Sequence, residues 1–269
     1  MHNSERNSSG WLIFSSNRLL VRHSGDTVVP VMKNPEDLGL ALIERVALPS
    51  GSGPPRTAGS VQESGNLPAE YTFLDLRSLA SLGDRNLFFL AGKAYQLLFW
   101  EETHRFCGRC GAPLGKGQEE YAKRCDACGL HIFPPVSPAI IIGVVNNNTL
   151  LLAHNARFPD GLYSLVAGFM EPGETIEQCA RREVSEETGI DIKGIRYFGS
   201  QPWPFPHSLM IGLTGKYAGG SIRPDGREIT DAAWFSPQEL PKLPPEGSIS
   251  REIIDWLTGS NHHDAQHET

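Results

Sequence analysis

The stretch Gly168–Ile190, GFMEPGETIEQCARREVSEETGI, decides the fold of the C-terminal half of the chain. It runs Gly168, five residues, Glu174, seven residues, Arg182-Glu183, apolar Val184, one residue, Glu186-Glu187, one residue, Gly189 and apolar Ile190. Pro172-Gly173 turns the chain, Thr175 with Gln178 makes a capping box, and Gly189 is placed to close the helix in a left-handed conformation. A helix over Ile176–Thr188 is therefore predicted. At about 100° per residue, Ile176, Ala180, Glu183 and Glu187 share a sector about 60° wide, with Gln178, Arg181 and Ser185 opposite. An ordinary solvated helix turns its carboxylates away from its apolar residues. Here they share one stripe, which places them at the border of a cleft. Two carboxylates at i and i+4 stand about 5–6 Å apart and repel, the more so with Glu186 adjacent, and a divalent cation reverses that sign. Hard oxygen ligands suit magnesium or manganese, which keep waters and bind substrate phosphates at the same time. Glu174 and Arg182 read as a supporting ion pair that fixes the preceding loop on the helix.

Upstream, Cys107-Gly-Arg-Cys110 and Cys125-Asp-Ala-Cys128 are two Cys-x-x-Cys pairs with 14 residues between them, each followed by a turn, while Cys179 lies far away. Four thiolates at this spacing form a closed tetrahedral site for one structural zinc. A redox dithiol needs an open sulfur of lowered pKa, and four saturated ligands leave none.

Outward from these two motifs, Ala139–Val145 and Thr149–His154 read as a hairpin across Asn146-Asn147-Asn148, with further strands around Tyr197 and over Leu209–Leu213 and a closing helix at Ser250–Leu257. Before the cysteines, Trp11–Phe14, Thr27–Val31 and Tyr71–Leu76 read as strands of a small β-rich unit and Leu87–Glu102 as a helix. Ser50–Asn66, dominated by Gly, Ser and Pro, reads as a flexible loop rather than core.

The 269 residues are 39% hydrophobic and 20% charged, a composition that excludes disordered and fibrous classes. The longest apolar run, Ala139–Val145, is far short of a bilayer span, so no membrane association is expected. The Met1–Asn7 start lacks a signal-peptide pattern, so the expected compartment is the cytoplasm. A net charge of -7 argues against non-specific coating of nucleic acid. Downstream of the acidic helix, Gln201-Pro-Trp-Pro-Phe-Pro206 alternates three prolines with two aromatics. Proline fixes φ, so Trp203 and Phe205 have little entropy left to lose when a flat ring stacks on them. The same segment also reads as a rigid turn whose rings plug a core. Phe169, next to Gly168, is a second stacking candidate with the same alternative.

The Gly168–Ile190 motif resembles the box of the Nudix hydrolases, which cleave nucleoside diphosphates linked to another moiety. Together with the four-cysteine ribbon and Ser200–Pro206, it resembles the NADH pyrophosphatase subfamily, whose members also remove NAD caps from RNA. The resemblance covers about Phe89–Leu257; the first 80 residues match only in general layout. It implies an α+β protein, a Nudix α/β/α sandwich at 135–258 preceded by a zinc ribbon at 103–134 and a small β-rich N-terminal domain with its connecting helix at 1–102, and followed by a polar tail at 259–269. It also implies magnesium or manganese on Glu183, Glu187, Glu228 and the carbonyl of Ala167, with Glu186 as a further ligand or helper and Glu187 as the proton acceptor. Substrate contacts would come from Gln201, Pro202, Trp203, Pro204, Phe205, Pro206, His207 and Ser208, with Phe169, Phe133 and Ser250. Members often have tyrosine where Phe133 stands and alanine where Ser250 stands, so polar contacts there differ. The reaction implied is hydrolysis of NAD(H) to nicotinamide mononucleotide and AMP, by a homodimer acting on the free dinucleotide and on NAD-capped RNA. The rivals are a Nudix hydrolase for another substrate such as ADP-ribose, and an RNA-binding module with an inactive Nudix domain. The ribbon carries Arg105, Arg109, Lys116, Lys123 and Arg124 against Glu119, Glu120 and Asp126, an excess too slight to demand RNA.

Overall fold

The computed structural model describes residues 10–24, 26–28, 35–48, 56–62, 67–82, 84–115 and 121–259. The chain divides into two compact units, Met1–Pro135 with Pro204–His207, and Val136–Trp203 with Ser208–Thr269. Val29–Val31, Ser50–Pro55, Glu63–Asn66, Lys116, Glu119, Glu120 and the tail after Gly259 lie outside the described residues.

In the first unit, strands β1 (Gly10–Ser15), β2 (Arg18–Ser24), β3 (Asp26–Val28), β4 (Leu42–Leu48), β5 (Arg56–Val61) and β6 (Tyr71–Asp75) form one sheet in the order β3-β2-β1-β5-β4, with β6 also on β2. Its core includes Leu12, Phe14, Leu19 and Leu20. Here the loop expected over Ser50–Asn66 is corrected. Arg56–Val61 is a strand, parallel to β1 and antiparallel to β4, and Ala58, Ser60 and Val61 are buried. Gly59 has a packing cause, since a Cβ there would meet the side chains of Leu42 and Trp11. Helix α1 (Arg85–Thr103) starts at Asp84, whose carboxylate accepts the Leu87 N–H at 2.9 Å. The ribbon adds two short strands, β7 (Lys123–Arg124) and β8 (His131–Ile132). It is tied to α1 by a buried ion pair, Lys123 Nζ to Glu101 at 2.7 Å, with the ammonium also 4.9 Å from the Trp100 ring.

In the second unit, strands β9 (Ser137–Asn146), β10 (Thr149–Asn155), β11 (Val166–Phe169), β12 (Ile190–Trp203), β13 (Ser208–Gly220) and β14 (Ile229–Phe235) build a mixed sheet ordered β12-β13-β9-β10-β14. β11 pairs with the first half of β9, and β10 joins β9 only around Val145–Asn146. Helix α2 (Ile176–Thr188) covers one face through Ala180 and Val184 on Ile140, Ile142 and Val144. Helix α3 (Ile249–Thr258) covers the other through Ile253, Ile254 and Leu257 on Ile141, Leu150 and Leu152. The unit is an α/β/α sandwich. The single glycine in the β9 apolar run has a packing cause, since a Cβ on Gly143 would run into the Leu257 side chain. Among the described residues no helix is long and apolar enough to cross a membrane.

Candidate active site

Helix α2 has the limits its sequence announces. The Thr175 hydroxyl accepts the Gln178 N–H while the Gln178 side chain accepts the Thr175 N–H, and Gly189 closes the helix at φ 72°. Cys179, Ala180, Val184, Glu187 and Thr188 are buried, and Gln178, Arg181 and Ser185 are exposed. Burial holds the Cys179 thiol up at about 11, so it is an inert core group.

Glu174 and Arg182 fix the loop to this helix. Arg182 donates from Nε to Glu174 Oε1 at 2.6 Å and from Nη2 to Glu174 Oε2 at 2.8 Å. Its Nη2 also reaches the Phe169 carbonyl at 3.0 Å, and its Nη1 reaches Glu183 Oε1 at 2.8 Å and Glu186 Oε2 at 3.3 Å. The guanidinium hydrogen bond holds the Glu174 carboxyl down at about 2. One arginine thus joins strand β11, the loop and two helix carboxylates.

Strand β11 runs directly under that helix. A Cβ on Gly168 would occupy the space filled by the Glu183 carboxylate, which explains why the motif opens on glycine. Ala167, half-buried, precedes it in the same strand opposite Ile141. The third acid, Glu228, is exposed in the loop before β14, where Asn155 Nδ2 donates to its Oε1 at 3.2 Å. Asp225, which sequence reasoning did not single out, organises this loop by accepting the N–H groups of Arg227, Glu228 and Ile229 at 3.1, 3.2 and 2.8 Å. Burial works against a charge on Asp225, yet those amides hold its pKa below the ordinary carboxylate value. An aspartate three residues before Glu228 is the only sequence signal that could have found it.

The electrostatics of the carboxylates are unfavourable by themselves. Burial, followed by the charges of Glu183, Glu228, Asp225 and Glu186, pushes Glu187 up to about 8. Burial also raises Glu183, against the pull of Arg182. Glu187 is only 7% exposed, and its Oε2 is buried with no hydrogen-bond partner. A buried carboxylate oxygen without a donor, ringed by other acids, one of which is seated against a glycine, suits a hard divalent cation and little else.

The aromatic and polar candidates divide. Phe169 is 58% exposed beside Gly168, so it is not a core ring. Phe133, 60% exposed, belongs to the first unit, as does the turn Pro204–His207. There a Cβ on Gly92 would press on Pro204, His207 lies 6.4 Å from Phe99 between ring centroids, and the Arg77 guanidinium sits 4.6 Å from the Phe205 ring centre. Arg77 carried no sequence signal. Pro202 is exposed, Trp203 half-buried, and Ser208 buried at the start of β13. Gln201 is buried, donating to the Gly247 carbonyl at 2.8 Å and accepting the Ile249 N–H at 2.9 Å, so both ends of its amide hold the entry to α3. Ser250 is buried with its hydroxyl 2.8 Å from that of Ser164. The structure thus gathers Glu183, Glu186, Glu187, Glu228, Ala167 and Phe169, and turns Gln201 and Ser250 inward.

The four ribbon cysteines are all reduced, and their sulfurs lie within 4.8 Å of one another. Among the described residues they are the only such cluster of three or more metal-ligating side chains; the carboxylates are spread more widely. The Cys110–Cys125 and Cys107–Cys128 sulfur separations, 3.5 and 3.6 Å, approach the roughly 3.8 Å set by tetrahedral zinc–thiolate bonds. The amides of Arg109 and Cys110 lower the Cys107 thiol to about 6. The Ala112 amide also favours a thiolate at Cys110, but the other sulfurs outweigh it and push that thiol up to about 12. Gly111, at φ 73°, makes the turn that carries these amides, and Gly129, also at φ 73°, closes the matching turn of the second pair. The donor set fits structural zinc.

Residues 135–257 match the NUDIX domain, residues 102–133 the NADH pyrophosphatase zinc ribbon domain, and residues 8–100 the NADH pyrophosphatase-like rudimentary NUDIX domain. The chain belongs to the Nudix hydrolase family, in the branch that carries this zinc ribbon. It is similar to the NAD-capped RNA hydrolase NudC of Stutzerimonas stutzeri strain A1501, at 48% identity over 180 residues, 67% of this chain and 65% of that protein. It is similar to the proteins of the same name from Edwardsiella ictaluri, at 43% over 67% of this chain and 71% of the relative, and Deinococcus radiodurans, at 42% over 71% and 70%. The chain thus aligns with about two thirds of the length of these relatives.

Proposed function

We propose that the protein is a metal-dependent hydrolase that splits the pyrophosphate of NAD(H) into nicotinamide mononucleotide and AMP, and removes NAD caps from RNA. The observation that carries this reading is the buried, partnerless Glu187 Oε2 on the same helix as Glu183, whose carboxylate fits against strand β11 only because position 168 is glycine. Magnesium or manganese held by Glu183, Glu187, Glu228 and the Ala167 carbonyl would, when bound, polarise the phosphates and lower the pKa of an attacking water. Glu187 accepts the proton from that water, and Glu186 assists at the exposed side of the helix. Arg182 keeps Glu183 and Glu186 in register with the loop, using five hydrogen bonds to Glu174, Phe169, Glu183 and Glu186 at once. Water is the nucleophile, so no covalent enzyme intermediate forms. Phe169 and Trp203 of the second unit offer ring faces for the nicotinamide or the adenine. The names of the relatives support the cap-removing activity, and the bounds of the three domains matched on this chain support a division at residues 102–103 and 134–135. The family resemblance supports a homodimer.

Product analysis tests the proposal. With magnesium, NADH and NAD-capped RNA should both yield nicotinamide mononucleotide or its RNA counterpart, with kcat/KM well above that for ADP-ribose. Preference for ADP-ribose, or no metal-dependent cleavage of any of them, would overturn it.

A further inference from the structure

The second unit carries a groove of about 540 Å³ away from the carboxylates, lined by the β9–β10 turn, the Lys193–Arg196 part of β12, Thr214–Tyr217 of β13 and the end of α3. Lys193, Arg196 and Lys216 line it, and no aspartate or glutamate does, in a chain whose net charge is -7. The three cations are exposed, and no ion pair with a described residue engages them. Asp255, one residue from the groove on α3, is held by Arg251 at 2.8 Å.

The arrangement of the cations is costly unless an anion joins them. Lys193 and Lys216 stand directly opposite each other in the β12–β13 pairing. Like charges facing across an antiparallel pair destabilise the sheet. A register shift between Lys193 and Arg196, at Gly194 with φ 61°, brings a third cation to the same rim. Opposite them lie the asparagines of the hairpin turn, including Asn147, whose amides add neutral donors. Trp256, 37% exposed and edge-on to Phe198, forms an aromatic wall. The last carbonyls of α3 disfavour an anion at their own rim, which places the negative groups on the strand side.

This groove is on the other face of the sheet from the acids. Gly212 packs under Ile249 of α3, and Lys216, four residues along the same strand, points to that same face, whereas Glu183 and Glu187 project from α2 on the opposite one. We propose that the groove is a second site, which binds the phosphate groups of a nucleotide or a nucleotide chain through Lys193, Arg196 and Lys216 and stacks a base on Trp256. Its binding arm does not depend on the NAD(H) reading, because probe affinity is read without turnover; only the hydrolysis control rests on that reading.

The test is fluorescence anisotropy on the full chain with two probes, a labelled ten-nucleotide oligouridylate with a 5′-hydroxyl and labelled uridine monophosphate. Lys193→Ala/Lys216→Ala, and separately Arg196→Ala, are compared with the wild type across a salt series, with circular dichroism to confirm folding. The double variant should weaken one or both probes by about tenfold or more and reduce the oligouridylate salt slope by about 1.4, while magnesium-dependent NADH hydrolysis stays unchanged. Loss for the oligomer alone identifies an RNA strand as the ligand; loss for the monophosphate identifies a free nucleotide. Affinity within twofold of wild type for both probes in both folded variants, or hydrolysis falling in step with binding, would overturn the proposal.

Discussion

Replacing Glu187 by glutamine in protein that keeps its zinc but has been freed of weakly held divalent ions should change how its stability responds to pH. In the folded chain the carboxyl sits at about 8, against 4.5 for the ordinary group, because burial and four neighbouring acids oppose its charge. A folded-state pKa raised in this way favours folding only while the group is protonated. The penalty is nearly absent below 4.5, grows as pH rises, and is complete above 8. Linkage puts it at about 1 kcal/mol at pH 5 and about 4 kcal/mol at pH 8. Glutamine cannot ionise, so the stability of Glu187→Gln relative to wild type should improve by about 3 kcal/mol between those two pH values, roughly 10 °C in Tm. The absolute ranking carries a constant offset, because the new amide also lacks a partner, so the change with pH is the quantity to read. Thermal denaturation followed by circular dichroism at pH 5, 6, 7 and 8 supplies it. Saturating magnesium should abolish the gain by stabilising the wild type. Parallel stability–pH curves for the two proteins would refute a buried, self-repelling Glu187.

Other perturbations have equally definite outcomes. Gly168→Ala drives a methyl into the Glu183 carboxylate; kcat/KM should fall by about 100-fold or more with the circular dichroism spectrum retained, since misplacement of about 1 Å has that effect. Glu174→Gln should lower Tm at neutral pH, and the difference should fade as acid protonates wild-type Glu174. Its carboxyl lies at about 2 when folded, so its contribution is present above the unfolded value of 4.5 and lost as pH falls through 2. Lys123→Ala breaks the buried ion pair with Glu101 and should destabilise the first unit by about 3–5 kcal/mol in urea unfolding, whereas Lys123→Met with Glu101→Leu should recover most of that.

The readability of the molecule from its sequence follows the range of the interactions involved. Helix α2 was legible to its terminal residues because its capping box, its glycine stop and its apolar stripe are all local, within 15 residues. The zinc ligands were legible for the same reason, as two four-residue turns. Strand β5 was not, because Arg56–Val61 is small and polar in composition and becomes a strand only between β1 and β4. Gln201 and Ser250 read as substrate contacts, yet their partners, Gly247, Ile249 and Ser164, lie 46, 48 and 86 residues away and leave no mark in the local pattern. Arg77 and Phe205 meet across a still longer separation. At the carboxylates, the sequence showed which acids share a face, but the displacement of every side chain but hydrogen at Gly168, and the Asp225 turn that presents Glu228, required the folded chain.

Manganese binding, followed by electron paramagnetic resonance of the free ion, tests the gathering of Glu183, Glu187 and Glu228 most directly. The wild type should remove manganese from solution with saturable stoichiometry, and Glu183→Gln/Glu187→Gln should weaken that binding by at least about 100-fold while zinc content stays at one per chain. Equal manganese uptake by the wild type and the folded double variant would contradict the account.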